Sequence, residues 1–541
     1  MPTLSRLIRR LSQGASAFGG RLQRDQRGAI AVQFALLAIP LSVLVFALVD
    51  LGRMGLQRRQ MQDALDAATL MAARSTAVTD AELEAIGDPA FVAEIAGLNL
   101  GLTASNSTFK NGATNHVIGT ATGVLKPIIA NLWTGANFNV VATSDVVRSS
   151  KDLEVAVVLD ITGSMSGSRI TDLKTASSDL VDIIVRDVQT PFYSKVAIVP
   201  YSVGVNLGSY ADAGRGAVPA RNITAITKAS QAVVTSNGHG FIKDDQISFA
   251  GVGGMTMLNG KTYTVKSVTT NTFTIDANTS NTNAYTSGGV ATCEKSTNPG
   301  CKVIAYTSAG NTSEERDIST CVSERTGTNA YTDVAPSTSP VGTNYPTTKD
   351  DSISSANPCP SATITPLSSD KTALKAQINA LAIGGSTAGQ IGFAWGWYMV
   401  SPNFGYMWPN ASQRPAAYLT KDLMKVVVLM TDGAFNTPYC NGVIAKDAGS
   451  GSGNASDHIN CKATNGDPFT QTRAMCDEMK KTKYGLTIYT VGFDVDDSTA
   501  KSMLQYCASK SENAFFPSTG SELKTTFKSI AQEISALRIA K

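Results

Sequence analysis

Two aspartates and three hydroxyls carry the chemistry this chain could do. The stretch "VAVVLDITGSMSGSRI", Val155 to Ile170, sets Asp160 behind five apolar residues and then offers Thr162 and Ser164 on either side of Gly163. Elsewhere, "IGGSTAGQIGFAWGW" puts Thr387 in a Gly-rich loop ahead of a helix, and "VVVLMTDGAF" puts Asp432 behind a second apolar run. Carboxylate and hydroxyl oxygens are hard donors. With no Cys or His beside them, copper and zinc fit poorly, whereas Mg²⁺ or Mn²⁺ suits the set. Taken alone, "DITGSMSGSRITDL" also reads as a loop that caps the following helix, because Asp and Ser are common N-caps. What points to a metal is the combination of the three fragments.

Those fragments must be brought together by strands and helices. Val155 to Leu159 is a continuous apolar run of the kind found in parallel strands buried on both faces. Ligands bind at the C-terminal edge of such sheets, and Asp160, Thr387 and Asp432 are all expected on that edge. After Lys151 the pattern alternates: a helix from Ile170 to Val185, the strand "SKVAIVPYS", the helix "DKTALKAQINAL", the strand "LMKVVVLMTDG", the helix "TRAMCDEMKKTKY", the strand "GLTIYTVGF", and a last helix from Ser521 to about Ile539. The expected fold is therefore α/β, with a doubly wound, mostly parallel sheet. One long Thr, Ser, Asn and Gly-rich stretch, from about Asn206 to Leu367, interrupts it.

The set Asp160, Thr162, Ser164, Thr387, Asp432 resembles the metal-ion-dependent adhesion site of von Willebrand factor A domains, whose usual pattern is D-x-S-x-S followed by a distant Thr and a distant Asp. Thr162 stands here for the first serine, and its hydroxyl can serve in the same way. The resemblance covers 151–205 and 368–541. It implies that one coordination position stays open for an acidic side chain of a partner protein, so the expected activity is metal-gated adhesion or assembly and not turnover.

Enzyme readings fit less well. A strand ending in "DITGS" is also similar to the haloacid dehalogenase superfamily, with Asp160 as nucleophile and "FDVDDS" (Asp496, Asp497) as a later acidic motif. That reading leaves the Thr387 loop without a role. No G-x-S-x-G elbow follows a strand, and "GMTMLNGKT" has five residues between its glycines where a P-loop needs four. His116, His239 and His458 are scattered, and surface or loop positions are expected for them. A net charge of +3 on 541 residues gives no overall field for nucleic acid.

Charge is uneven at the N-terminus. Arg6, Arg9, Arg10, Arg21, Arg24 and Arg27 face one acid, Asp25, before the uncharged run "GAIAVQFALLAIPLSVLVFALV", Gly28 to Val49. About twenty residues span a bilayer as a helix. The arginines keep the N-terminus in the cytoplasm and send the rest outward. All eight cysteines lie beyond this segment and none forms a CxxC pair, which suits disulfides in an exported domain. The expected pairs are Cys476 with Cys507, on two late helices, and Cys440 with Cys461, closing a polar loop.

The run "RDQRGAIAVQFALLAIPLSVLVFALVDLGR" followed by "RRQMQDALDAATLMAAR" resembles the TadE/TadG-like segment of bacterial tight-adherence (Flp) pilus assembly proteins, whose TadG members carry a von Willebrand factor A domain. Pilin-like sequences place Glu-Phe fifth and sixth after the glycine. Here Gln33 and Phe34 stand there, so a retained anchor is expected in place of cleavage at Gly28. "AVVTSNGHGFIKDDQISFAGVGGMTMLNGKTYTVKSVTTNTFTID", Ala232 to Asp276, is similar to the FCCH domain of ubiquitin-activating enzymes, and its Tyr263, Val265, Val268, Phe273 and Ile275 are expected to line a compact barrel.

The map expected from sequence is a basic cytoplasmic tail (1–27), a transmembrane helix (28–50), a helical stalk (51–76) and a small α/β or β-rich region (77–150). The metal-site domain follows (151–205 and 368–541), interrupted by an all-β module (223–292) and a cysteine-containing loop region (293–367). The expected setting is the bacterial inner membrane, single-pass, with pilus-assembly components as partners. The competing reading is a structural pilus-base component whose metal site only stabilises the fold.

Overall fold

The computed structural model describes residues 26–98, 102–112, 116–127, 137–147, 151–346 and 357–539, apart from residues 76, 78 and 191. The expected basic tail, except for Gln26 and Arg27, lies outside the described residues. The chain divides into two compact units, residues 1–149 and 150–540.

The first unit begins with one continuous 49-residue helix, α1 (Gln26–Arg74). Its apolar half is long enough to cross a membrane, with a mean hydropathy of 2.5 in a window that buries nothing. Ile30 and Phe34 are more than two-thirds exposed. The other half changes character. Met61, Ala64, Leu65, Ala68, Ala72 and Ala73 are buried, on one helical face, against α2 (Asp80–Ala96) and the antiparallel strands β1 (Leu102–Asn111), β2 (His116–Leu125) and β3 (Phe138–Val147). Thr79 and Glu82 form a capping box that fixes the start of α2. The sequence led us to expect strands from about Asn115; β1 comes earlier, because its inward positions include Ser107 as well as Phe109 and so lack an apolar alternation.

The second unit is built on a six-stranded sheet. In chain order its strands are β4 (Asp152–Asp160), β5 (Ser194–Tyr201), β6 (Thr365–Ser368), β7 (Leu423–Thr431), β8 (Leu486–Gly492) and β9 (Ala514–Phe515). Their order in the sheet is β6-β5-β4-β7-β8-β9, with only β6 antiparallel to its neighbour. The chain therefore winds outward from β4 in one direction and returns to wind in the other, as the alternating pattern implied. Helices cover both faces. Val155, Val157 and Leu159 point to the side covered by α3 (Ser168–Ile184), α4 (Lys371–Asn379) and α8 (Gly520–Ile539). Ala156 and Val158 point to α5 (Gly389–Tyr398), α6 (Pro468–Met479) and α7 (Ser498–Cys507). Burial on both faces is why these strands read as unbroken apolar runs.

The insertion folds as a nine-stranded, mostly antiparallel sheet with its own core, including Val234, Ile247, Val265, Phe273 and Ile275. The segment 220–226 pairs with residues 290–292 on one side and with residues 234–235 on the other, so the strands close on themselves around this core as the expected barrel. Val268, expected inside, is 40% exposed although it pairs with the buried Phe273, because it is the last residue of its strand. Residues 293–367, expected as loops, contribute strands Val303–Thr307 and Ser313–Asp317 to this sheet. Both expected disulfides are present, Cys440–Cys461 and Cys476–Cys507, joined by Cys293–Cys301 and Cys321–Cys359.

The end of the insertion returns a carboxyl to the main core. Glu324 is half-buried between α5 and α6, where it accepts hydrogen bonds from Gln390 Nε2 (2.9 Å), Gln471 Nε2 (3.1 Å) and the Tyr439 N–H (3.1 Å). Burial outweighs these donors and pushes the carboxyl up to about 7. A carboxyl raised on folding favours the folded state fully below its unfolded value, 4.5, and loses that contribution as pH rises through about 7. The variant Glu324→Gln is therefore expected to gain on the wild type, by an order of 3 kcal/mol, between about pH 4.5 and 7.5. Urea midpoints measured across that range check it, and parallel pH profiles would refute it.

Candidate metal centre

β4 and β7 are adjacent at the point where the winding reverses, so Asp160 and Asp432 emerge side by side at the edge where such sheets bind ligands. Asp160 is completely buried. Its Oδ1 accepts from the Thr162 N–H (3.0 Å) and the Thr162 hydroxyl (2.6 Å), and its Oδ2 from Tyr201 OH and Thr431 Oγ1, both at 2.9 Å. With four donors on two oxygens, Asp160 acts as an anchor that orients its neighbours. The hydroxyls of Thr162 and Ser164 meet at 2.9 Å, and Ser164 Oγ donates to Asp432 Oδ1 at 2.7 Å.

Four of the five expected residues thus form one oxygen chain, Asp160–Thr162–Ser164–Asp432. Thr387 is held beside it by its backbone. The Gly163 N–H donates to Gly385 O (3.0 Å), the Gly384 N–H to Ile161 O (2.9 Å) and the Thr387 N–H to Asn436 Oδ1 (3.0 Å), which stitches the Thr387 loop to both aspartate loops. Gly385 makes this possible with a left-handed φ of 77°; a Cβ there would also press on Val203 at 2.9 Å.

The electrostatics of the cluster follow from its composition. Asp160 is raised by burial. Asp432 is pushed up to about 6, first by burial and then by the charge of Asp160. The hydrogen count points the same way. Three oxygen–oxygen contacts, Asp160–Thr162, Thr162–Ser164 and Ser164–Asp432, share two hydroxyl hydrogens. With both carboxylates ionised, one contact lacks a proton. A proton or a cation would relieve it, so the donor set fits a hard divalent ion. Among the described residues no three His, Cys, Asp or Glu side chains cluster at metal-binding range. A site here would accordingly rest on two carboxylates with hydroxyls as weak, neutral donors.

Four residues that share this network were not singled out in the sequence: Tyr201, Thr431, Arg169 and Asp494. Tyr201 ends β5 and Thr431 ends β7, so both sit level with Asp160. Register alone could have found them. Arg169 donates through Nη1 to Asp432 Oδ2 and through Nη2 to Asp494 Oδ2. The acidic pair considered for phosphotransfer behaves otherwise: Asp497 caps α7 by accepting from the Ala500 N–H at 2.7 Å.

Comparison with known proteins adds two matched segments. Residues 28–75 match the putative Flp pilus-assembly TadE/G-like family, and residues 230–295 match the FCCH domain of ubiquitin-activating enzyme E1. No curated protein matches the chain. Among solved structures, the pilus adhesin SpaC from Lactobacillus rhamnosus GG is 11% identical over 80% of this chain and 34% of its own, at a TM-score of 0.30. The chain thus spans about a third of that adhesin's length. The vWF domain of the type V pili tip protein Mfa5 from Porphyromonas gingivalis is 12% identical, covering 72% of this chain and 97% of that one, at 0.31. Proximal thread matrix protein 1 from the mussel byssus, solved with a zinc-occupied MIDAS motif, is 12% identical over 72% and 47%, at 0.27. At such scores the fold assignment rests on the strand order itself. The chain is therefore similar to TadE/G-like pilus-assembly proteins at 28–75, and its second unit is a doubly wound α/β domain with an FCCH-like insertion.

Proposed function

We propose that this is a membrane-anchored pilus-assembly or adhesion protein that binds an acidic group of a partner protein through a divalent ion, Mg²⁺ or Mn²⁺, held by Asp160, Thr162, Ser164, Thr387 and Asp432. The anchor is α1, with the N-terminus in the cytoplasm and the metal domain outside the bacterial inner membrane. The observation that carries the reading is the oxygen chain at the switch point of the sheet, one hydrogen short when both acids are ionised. When bound, the ion would supply a Lewis-acid position for an incoming carboxylate. Asp160 orients the Thr162 hydroxyl, Ser164 links it to Asp432, and the loop stitched by Gly163 and Asn436 brings Thr387 alongside. Each of these roles is binding or positioning, with no bond made or broken.

A second reading, in which these oxygens only hold three loops together, is favoured by Arg169, which already lends Asp432 a positive charge. Titrating Mg²⁺, and separately Mn²⁺, into the detergent-solubilised chain while following its melting separates the two. The wild type is expected to gain about 2.7 kcal/mol of stability at a hundredfold excess over Kd, and Asp160→Ala to gain none. An equal gain in both would refute the site, and no gain in either would favour the loop-holding reading.

A further inference from the structure

Arg169 lies in the first turn of α3, where the helix end carries partial positive charge and a guanidinium has the wrong sign. Acids hold it there. Nη1 donates to Asp432 Oδ2 at 3.2 Å and to Ser164 O at 3.3 Å, while Nη2 donates to Asp494 Oδ2 at 2.5 Å. The Asp432 side chain is wholly buried and that of Asp494 is 42% exposed, so the arginine bridges an inner acid to an outer one. Asp494, two residues beyond β8, faces it from a left-handed backbone (φ 52°) whose N–H is fixed on Pro517 O at 2.8 Å.

We propose that Arg169 is a tethered counter-cation: it neutralises Asp432 in the ion-free protein, competes with the divalent ion for that carboxylate, and is retained at the rim by Asp494 when displaced. This rests on the metal reading above. A guanidinium and a divalent ion drawn to one buried carboxylate repel each other, so the ion gains Asp432 only as Arg169 yields it. Nη2 is already bonded to Asp494, so yielding requires a swing about an anchored end and no loss of the charge to solvent. The same oxygens without the arginine should bind ions more tightly. Without Asp494 they should bind less tightly, because Asp432 is then the sole acid paired with the guanidinium.

Calorimetric titration of Mg²⁺ and Mn²⁺ into the detergent-solubilised full chain tests this, with Arg169→Gln, Arg169→Lys and Asp494→Asn beside the wild type. Arg169→Gln is expected to bind about three- to tenfold more tightly, Arg169→Lys to fall between it and the wild type, and Asp494→Asn to bind more weakly. In EDTA, Arg169→Gln should melt below the wild type, so its ion-free stability and its ion affinity move in opposite directions. A merely structural arginine would lower both. Binding by the wild type with equal or weaker binding by Arg169→Gln overturns the counter-cation alone. Binding by Arg169→Gln but not by the wild type supports it in its strongest form. Absence of binding in every variant overturns the metal reading and this inference with it. Should Arg169→Gln fail to fold, the Lys and Asn variants decide by the same signs.

Discussion

Replacing Lys425 by methionine is expected to destabilise the protein by about 3–5 kcal/mol, the usual cost of leaving a buried charge without its partner. Lys425 on β7 and Glu154 on β4 stand directly opposite in the parallel ladder, and their side chains are 2% and 0% exposed. The ammonium bonds the Glu154 carboxylate and also donates to Val400 O at 2.9 Å. Glu154 in turn accepts from Tyr193 OH (3.0 Å) and the Ala416 N–H (2.9 Å). Lys195 is its register partner on β5 but is a poor substitute, since its ammonium sits 4.3 Å over the Tyr193 ring. The double change Glu154→Leu, Lys425→Met removes both charges and is expected to recover most of the loss. Urea denaturation of the three variants measures it; a single mutant within about 1 kcal/mol of the wild type would show that water reaches the pair.

The second large effect is expected at Gly392. Mid-helix glycine is ordinarily improved by a side chain, by about 1 kcal/mol for alanine. Here a Cβ would lie 2.5 Å from Cγ and Cδ1 of Tyr201 and 3.0 Å from its Cβ. Contact at the root of the ring cannot be relieved by rotating the ring away, so α5 must lift from the sheet. Gly392→Val is expected to cost about 3 kcal/mol. It should also abolish the proposed ion binding, because the Tyr201 hydroxyl that would be displaced holds Asp160 Oδ2. Tyr201→Phe removes that hydroxyl without moving the helix. It is expected to weaken binding while costing less stability, and equal behaviour of the two variants would show that the clash is absorbed elsewhere.

These positions also show what the sequence makes legible. The doubly wound sheet is readable because burial on both faces leaves whole strands apolar, and Asp160 and Asp432 stand out as the polar residues that end such runs. Glu154 and Lys425 lie inside the same runs and are silent, because opposing charges 271 residues apart reveal nothing until the ladder aligns them. Tyr201 and Thr431 depend on register in the same way. Arg169 looks like any surface residue of a first helical turn, since its partners come from β7 and from beyond β8. The strands after Cys293 were hidden for another reason. They are only five residues each, and the second, Ser313–Asp317, is wholly polar, so the pair lacks the matched apolar alternation of a hairpin.

The position of β4 has a mechanical consequence. It follows the first unit within a few residues, and it is the inner strand on which β5 and β7 both form parallel ladders. Tension applied along β4 would therefore load both ladders in shear, with their hydrogen bonds resisting together instead of unzipping one by one. The disulfides limit how far the chain can pay out if the sheet yields. Cys321–Cys359 alone closes off 38 residues, about 130 Å of extended chain, that cannot lengthen under load.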